Sequence, residues 1–285
     1  LLDQRTAMTR LILKEITADA QKFGDDRRTL IESVAPVAAI EIGVSDEPVT
    51  LIVSRNGWVR TRQGHGLDLA TIGYKAGDEA FAIIETRSVW PCVVLDDKGR
   101  AYSVKIPDLP GGRGDGAPMG TFVDFQDGGR LAQVVSAAPD SVWLFSHSGG
   151  YGFLCTLNDA SSRQRAGKAF MTLNADERPL PPALALGETV CAASANGRLL
   201  VFPRTEMKQQ AGGRGVIIMA LDAGETLNAV ALPADAAPLT VLGSAARGGK
   251  AVELTLSPTQ RATVLAKRAR KGTALAKKMT PSALR

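Results

Sequence analysis

The amino-acid sequence predicts an all-β fold: a propeller-like disc of five four-stranded blades, preceded by one N-terminal α-helix. Beyond residue 40, short runs rich in Val, Ile, Leu and aromatic residues alternate with tight turn signals, which is typical of β-hairpins. Each turn carries a glycine, which adopts a positive φ angle at little cost. The turn pairs are Asn56-Gly57, Lys98-Gly99, Gly149-Gly150, Asn196-Gly197 and Gly248-Gly249. The glycine in the second position of each pair is 42, 51, 47 and 52 residues from the one before it. This recurrence indicates propeller blades.

Three parts are predicted along the chain. Residues 1–30 are a helix and its exit, because apolar residues recur at mostly helical spacing up to residue 23 with no Gly or Pro between them. Residues 31–39 form a short apolar linker, and residues 40–285 form the disc. The helix has to pack on something, either the disc or an upstream part of the protein. Because the first residue is not Met, we expect the chain to be a fragment of a longer protein.

A second repeat follows the hairpins. Downstream of each one lies a small residue, then a basic residue or His, then usually another small residue. The copies are Gly64-His65-Gly66, Gly112-Arg113-Gly114, Gly167-Lys168-Ala169, Gly213-Arg214-Gly215 and a degenerate Arg270-Lys271-Gly272. The fourth copy, within QQAGGRGVIIM at 209–219, could by itself be a nucleotide-binding loop. A P-loop, however, needs a Lys-Ser/Thr pair where Val216 and Ile217 stand, and a nucleotide site would be expected once rather than five times.

Repeated loops of this kind suit a phosphate backbone. Glycines expose backbone N–H groups, and a neighbouring cation adds charge without reading bases. Around the edge of a disc, such loops would contact a curved duplex at intervals, so we expect sequence-tolerant, salt-sensitive binding that bends DNA. The alternative is that they are ordinary inter-strand turns with solvated cations. The candidate DNA-binding residues are Arg60, Arg62, His65, Arg113, Arg163, Arg165, Lys168, Arg204, Lys208, Arg214, Lys267, Arg268, Arg270 and Lys271.

The charge of the chain is unevenly distributed. The formal net charge is +5, but the last 25 residues hold eight basic and no acidic residues. Residues 37–260 hold 20 basic and 23 acidic residues, a net charge of −3. A polyanion must therefore meet a local stripe or the tail, because the body as a whole does not attract it.

Composition also bounds the chemistry. Three scattered cysteines predict a reducing compartment, and we expect neither a signal peptide nor a membrane-spanning run. The sequence contains no nucleophile elbow, HExxH or CxxC motif. Its two histidines cannot build a zinc site, and we expect each to be a surface or turn residue. We therefore expect no catalytic residue, metal or cofactor in this part of the protein. An aromatic content of 5% argues against a channel that stacks single-stranded bases.

Several stretches resemble one family. KEITADAQKFGDDRRTLI at 14–31 resembles the helix end and exit of type IIA topoisomerase A subunits, where the breakage-reunion domain is followed by the C-terminal domain. Four further stretches resemble the C-terminal domain of the ParC family, the A subunits of bacterial topoisomerase IV, and the third of them is the most specific. They are PVTLIVSRNGWVRTRQGHGLD at 48–68, GYKAGDEAF at 73–81, GYGFLCTLNDASSRQRAGKAFMTL at 150–173 and GRLLVFP at 197–203. The similarity covers residues 14–275.

The resemblance implies a β-pinwheel, a disc whose blades exchange strands, that binds and bends duplex DNA on its outer surface. It implies a role in choosing DNA crossovers for decatenation and supercoil relaxation. The related gyrase domain carries a seven-residue glycine-and-basic box in its first blade. The nearest match here, QQAGGRG at 209–215, lacks the leading basic pair and lies late in the chain, which argues against full wrapping. The cleavage tyrosine belongs to the upstream domain, and no residue of this chain inherits its role.

The resemblance also implies a setting for the parent enzyme. ATP and Mg would be used by other domains. The partners would be the B subunit of topoisomerase IV, the remainder of a dimeric A subunit, and a chromosome-condensing protein of the MukB type. We expect a cytoplasmic, nucleoid-associated protein, with a peripheral position at the inner membrane as a further expectation for the complex.

Two alternatives stay open. The disc could be a protein-interaction module that docks a chromosome-organising partner, since its body is slightly acidic and its basic residues are patchy. Separately, residues 261–285 could be a disordered basic arm, although the resemblance places the first part of this segment in the fifth blade.

Overall fold

A computed structural model of the chain describes residues 4–25, 45–112, 114–245 and 249–285. It divides into two compact units, residues 1–43 and residues 44–285. The described part of the first unit is helix α1, Arg5–Phe23, which buries none of its side chains. Its large apolar residues are exposed: Met8, Leu11, Ile12, Leu13, Ile16 and Phe23. The predicted linker at 31–39 lies outside the described residues, so the predicted division at this point stays a prediction.

The second unit consists of five antiparallel sheets, each built around one hairpin. The five turn glycines, including Gly57 and Gly249, all have positive φ angles, between 63° and 85°. In chain order, the hairpin strands are β1 (Pro48–Ser54) and β2 (Trp58–Gln63), β4 (Pro91–Asp96) and β5 (Arg100–Lys105), β8 (Val142–Ser146) and β9 (Tyr151–Thr156), β12 (Thr189–Ser194) and β13 (Arg198–Pro203), and β16 (Leu239–Ala245) and β17 (Ala251–Leu256). The predicted five-bladed all-β fold is confirmed.

A third strand pairs with the first hairpin strand of every blade. These third strands are β3 (Ala80–Arg87), β7 (Leu131–Ser136), β11 (Ala183–Leu184), β15 (Leu227–Ala231) and β19 (Met279–Leu284). Each follows its hairpin in the chain: β3 after residues 64–79, and β7, β11, β15 and β19 after longer segments that also supply the strand donated to the preceding blade. Because the two strands of each hairpin are antiparallel, a short turn suffices to connect them.

The fourth strand of blades 1 to 4 is donated by the segment that follows the next blade's hairpin. The donated strands are only two residues long: β6 (Ala117–Pro118), β10 (Lys168–Ala169), β14 (Val216–Ile217) and β18 (Thr273–Ala274). Each crossing segment begins with a short helical turn: the 3₁₀ turn Ile106–Asp108, helix α2 (Leu157–Ala160), the 3₁₀ turn Arg204–Glu206 and helix α3 (Pro258–Thr263). Consecutive blades are thereby tied together, which is the strand exchange that the resemblance implies.

Blade 5 differs from the prediction of four strands per blade, because within the described residues its sheet has three. The corresponding fourth strand would come from the segment after β2, which contains the 3₁₀ turn Leu69–Thr71 and folds back on its own blade instead of crossing to blade 5. The Gly64 amide donates to the Pro48 carbonyl, and the Thr50 hydroxyl donates to the Gly64 carbonyl at 2.7 Å. Residues 64–79 thus cover the face of blade 1 that would otherwise meet blade 5.

Four clusters of buried apolar residues each join two consecutive blades. Alternate side chains of one strand point to opposite faces of its sheet, so a central strand serves two clusters. In β4, Cys92 and Val94 pack towards blade 1, whereas Val93 and Leu95 pack towards blade 3. The other two clusters join blades 3 and 4 and blades 4 and 5. Within the described part of the chain, no such cluster joins blade 5 to blade 1.

The hairpin turns give a first testable prediction. Gly57 has a φ of 77°, and a Cβ added there would have no neighbouring atom closer than 4.0 Å, so Gly57→Ala adds backbone strain without a steric clash. We expect it to lower the free energy of unfolding by about 1–2 kcal/mol. Gly73 also has free space around it but no positive φ, so Gly73→Ala should change stability by less than about 0.5 kcal/mol. Urea denaturation of both variants measures the difference, and equal effects would contradict the turn assignment.

Candidate nucleic-acid interface

The donated strands lie at the outer edge of the disc. Third strands of neighbouring blades contact one another, as β3 does with β7 and β15 does with β19. Blades of a disc approach each other most closely near its axis, so the third strands lie on the inside. In each sheet the donated strand is at the edge opposite the third strand, and it therefore lies on the circumference.

Four loops lead into the donated strands, and we call them the rim loops: residues 111–116, 162–167, 208–215 and 265–272. Each loop starts beside the second hairpin strand of the preceding blade. Gly111 bridges to Thr61, Gln209 to Leu154 and Leu265 to Val201, and the Ser162 amide donates to the Ser103 hydroxyl at 2.8 Å. These equivalent positions bring three of the five predicted small-basic-small triplets to the circumference, within or at the end of a rim loop, together with Gly112 and Gly114 of a fourth.

The first triplet lies elsewhere. Nε2 of His65 is 2.8 Å from the Thr86 carbonyl, and the Gly66 amide donates to a Glu85 carboxylate oxygen at 2.6 Å. Both partners belong to β3, the third strand of the same blade. His65 is exposed but is not equivalent in position to the cations of the rim loops.

One cation in each of three rim loops is held by an acidic residue. Arg165 donates from Nε to Asp124 at 3.0 Å. Arg214 donates to both carboxylate oxygens of Glu177, at 2.7 and 3.0 Å, and Lys271 donates to Asp222. The acids lie in the segments before the third strands of the preceding blades. These pairs anchor the loops, and we call their basic members the pinned cations.

Other cations of the same loops are free. Their side chains are exposed, and within the described residues they have no hydrogen-bond, ion-pair or ring partner. These free rim cations are Arg163, Lys208, Lys267 and Arg270. The rim loop at 162–167 therefore carries one pinned and one free cation, as does the loop at 208–215, and the loop at 265–272 carries one pinned and two free.

Several predicted DNA-binding residues are turned towards the protein. Arg60 is 6% exposed and donates to the carbonyls of Gly114 and Gly73. It is buried because residues 64–79 cover its side of blade 1, and this position does not support the predicted DNA contact.

Three other predicted DNA-binding residues donate to protein groups: Lys168 to the Asp159 carbonyl, Arg204 to Glu188 and Arg268 to the Ile217 carbonyl. Arg62 is half-buried, and Arg113 lies outside the described residues.

The GGRG motif at 212–215 serves the strand exchange. Gly215 has a φ of 81°, and a Cβ there would be 2.2 Å from the Gly152 carbonyl oxygen. Only glycine allows this close approach, which brings β14 against β9. The glycine predicted as a phosphate contact is therefore required by the backbone packing of two blades.

A buried polar cluster beside this motif was not predicted, since His147 was expected at the surface or in a turn. His147 is in the blade 3 turn but is fully buried. Its Nδ1 lies 3.4 Å from Glu177 and accepts from the Gly149 amide at 3.2 Å. Arg214 lies 4.5 Å from the Tyr151 ring centre. The sequence held one signal for this cluster, the turn NADE at 174–177. Its Glu177 accepts a hydrogen bond from the Asn174 amide, as Glu225 accepts one from the Asp222 amide in the turn DAGE.

Burial governs the titration of this cluster. Burial lowers the pKa of His147 below its usual 6.5, and the Arg214 charge lowers it further while the Glu177 charge opposes both. For Glu177, burial would raise the pKa, but hydrogen bonds from Arg214 and the Asn174 amide, with the charges of His147 and Arg214, hold it below its usual value. Both groups therefore resist protonation in the folded protein.

This gives a prediction of pH dependence. Because the folded-state pKa of His147 is depressed, unfolding takes up a proton below about pH 6.5, and stability is lost as the pH falls from 7 towards 5. Glu177 adds a further loss as the pH falls below about 4.5. We expect His147→Gln to flatten the curve between pH 5 and 7. Thermal denaturation at several pH values checks this, and an unchanged slope in the variant would be inconsistent with His147 as its source.

Cysteine and metal chemistry do not contribute a site among the described residues. Burial raises the pKa of Cys92 to about 12, of Cys155 to about 11 and of Cys191 to about 12, so these thiols are poor nucleophiles. No group of three or more His, Cys, Asp or Glu residues in the described ranges could hold a metal ion. In the same ranges, no helix combines the length and apolar character that crossing a bilayer requires.

Comparison with known proteins identifies relatives along most of the chain. No protein-family model matches. The chain is 37% identical over 274 residues to the A subunit of DNA topoisomerase 4 from Neisseria gonorrhoeae, covering 92% of this chain and 34% of the relative. It is 34% identical over 229 residues to the same protein of Escherichia coli K12, covering 79% and 30%. The chain thus spans about a third of the length of these curated relatives.

Solved structures agree with the fold. The structure of the E. coli ParC C-terminal domain superposes with a TM-score of 0.72 at 29% identity, covering 84% of this chain and 98% of that domain. The C-terminal domain of DNA topoisomerase IV matches with a TM-score of 0.66 at 17% identity, covering 85% and 78%. The DNA gyrase A C-terminal domain matches with a TM-score of 0.60 at 14% identity, covering 84% and 82%. At these lower identities, the last two support the fold alone.

Proposed function

Because the chain belongs to the family of C-terminal domains of topoisomerase IV A subunits, we propose that it binds duplex DNA along its outer edge without sequence preference and bends it. The observation that carries this proposal is the arrangement of the three fully described rim loops. Each pairs a pinned cation, which fixes the loop, with at least one free cation at the circumference. Fixed loops with free charges can meet phosphates at intervals along a curved path.

The location of the free cations supports contact with the DNA backbone rather than readout of the bases. Lys and Arg on loops at a convex edge reach phosphate oxygens, whereas base readout needs an element that enters a groove. Residues 37–260, which include three of the rim loops, have a net charge of −3, so the body as a whole is slightly acidic. Binding would therefore depend on the rim loops and the basic C-terminal segment rather than on a uniform positive field.

Duplex affinity measured against salt concentration tests this proposal. With four free rim cations contacting phosphates, log K should fall with log salt with a slope of about −3 to −4. Duplexes of unrelated sequence should bind within about threefold of each other, because no discriminating base contact is made. Affinity that is indifferent to salt, or that is confined to one sequence, would refute the proposal.

For the parent protein, we propose a type II topoisomerase in which this domain directs the choice of DNA crossings during decatenation and supercoil relaxation in chromosome segregation. The cleavage tyrosine, and the use of ATP and Mg, would belong to other domains. The B subunit and the rest of the A subunit would be its partners, with a MukB-type protein as a further one, in the cytoplasm at the nucleoid. Comparing the enzyme truncated before this domain with the full-length enzyme would test the role, since unchanged substrate preference without the domain would exclude it.

A further inference from the structure

A cleft of about 1050 Å³ opens on the disc beside the rim loop at 162–167. Three segments form its walls: the connection between β3 and β4 around Trp90, the end of β5 with the 3₁₀ turn that follows, and the segment from Asn158 to Arg165. The cleft therefore lies where blades 1, 2 and 3 contribute to one surface. Its volume is at the upper end of the roughly 300–1000 Å³ found for small-molecule sites.

Apolar side chains converge on this cleft. Val89 is 46% exposed, Trp90 and Phe122 are half-buried, and Pro107 and Pro139 are exposed. Single exposed apolar residues are ordinary on a protein surface. A contiguous group containing a tryptophan and two prolines, bordered by polar residues, is typical of a surface that binds another protein.

The charged residues around the cleft are mostly basic. Lys105 and Arg163 are exposed and have no partner in the described part of the chain. Arg165 is pinned to Asp124, and Asp108 is the one acidic residue of the lining. Two uncompensated cations beside an apolar floor favour a ligand that brings both carboxylates and an apolar group.

We propose that this cleft binds a short acidic segment of a protein partner. An aromatic or branched apolar side chain of that segment packs against Val89 and Trp90, and its carboxylates pair with Lys105 and Arg163. A nucleic acid fits less well, because its phosphates would face the prolines, Trp90 and the Asp108 carboxylate. At protein–protein interfaces, a few buried anchor side chains usually supply most of the binding energy, and the contacts around them supply less.

Selection of short random peptides displayed on phage against the immobilised full chain tests this inference. The most enriched peptide is then synthesised with a fluorophore and titrated with the wild type and two variants. Val89→Asp places a carboxylate at the apolar floor, and Lys105→Glu with Arg163→Glu reverses the charges. All three positions are exposed, so folding should be retained, and circular dichroism checks this.

We expect the enriched peptides to combine acidic residues with an aromatic or branched apolar residue, and each variant to bind the chosen peptide at least about tenfold more weakly. Failure to enrich any peptide, enrichment without acidic residues, or unchanged binding by both variants would overturn the inference. So would weaker duplex binding by Val89→Asp, because the cleft would then belong to DNA.

The outcome can be separated from that of the proposed DNA interface, because the cleft shares with it residues 162–165 of one rim loop and, of the four free rim cations, Arg163 alone. Lys267→Glu with Arg270→Glu should weaken duplex binding and leave peptide binding unchanged, whereas Val89→Asp should do the reverse. If Lys267→Glu with Arg270→Glu alone leaves duplex binding unchanged, the DNA proposal is refuted. If Val89→Asp alone leaves peptide binding unchanged, the cleft proposal is refuted.

Discussion

Reversing the four free rim cations, by Arg163→Glu, Lys208→Glu, Lys267→Glu and Arg270→Glu together, should weaken duplex binding on the order of 10²- to 10³-fold near 0.1 M salt. Each free cation is expected to neutralise about one phosphate, so the slope of log K against log salt should become shallower by about 0.9 per contact. Electrophoretic mobility shift or fluorescence anisotropy over a salt series measures both quantities. The variant should fold normally, since the four side chains have no partner among the described residues to lose.

A matched control separates local contact from overall charge. Arg130, Arg178, Lys278 and Arg285 are also exposed but lie outside the rim loops: Arg130, Lys278 and Arg285 directly adjoin the inner third strands, and Arg178 lies in the segment that leads into one, β11. Reversing these four changes the net charge by the same amount. We expect less than about a tenfold loss of affinity and little change in the salt slope. Equal losses in the two variants would show that net charge, and not the circumference, governs binding.

Replacing Phe170 with alanine should lower the free energy of unfolding by about 3–5 kcal/mol. Phe170 directly follows the donated strand β10 and is 1% exposed. Its ring lies 4.9 Å from that of Phe145 and 5.3 Å from that of Phe153, in edge-to-face contact with both. The Phe170 ring thereby holds in place the segment that runs from blade 3 to the edge of the blade 2 sheet. Removing the ring leaves a cavity and weakens the packing between these two blades.

Chemical denaturation of Phe170→Ala, Phe170→Leu and Leu186→Ala tests this expectation. The leucine variant keeps most of the volume and should recover part of the loss. Leu186 is 64% exposed, so its replacement should change stability by less than about 0.5 kcal/mol. A loss below about 1 kcal/mol for Phe170→Ala would mean that the donated segments do not hold the blades together.

Much of the fold could be predicted because its turns have local causes. The hairpin glycines need positive φ angles, and the strands between them are apolar on both faces, since each central strand packs against two neighbouring blades. The donated strands could not be found from their residues. Two residues such as Lys168 and Ala169 carry no alternating pattern, and only the family resemblance implied that blades exchange strands.

The candidate interface was predicted in part. The last three triplets mark loops that the structure brings to the circumference, whereas the first triplet stays on its own blade. Which cations are pinned could not be predicted, because Asp124, Glu177 and Asp222 are 41, 37 and 49 residues away from their partners in the chain. The burial of Arg60 likewise depends on how residues 64–79 fold back, and nothing in the local sequence indicates it.

The bend of a bound duplex is the most direct test of the central claim, that free cations on the circumference hold a curved DNA. A short duplex carrying a fluorescence donor at one end and an acceptor at the other reports the distance between its ends. At low salt and equal occupancy, the wild type and the inner-side control should raise transfer efficiency, and the variant with four reversed rim cations should not. Saturated binding by the wild type with no approach of the ends, or equal bending by the rim variant, would contradict the account.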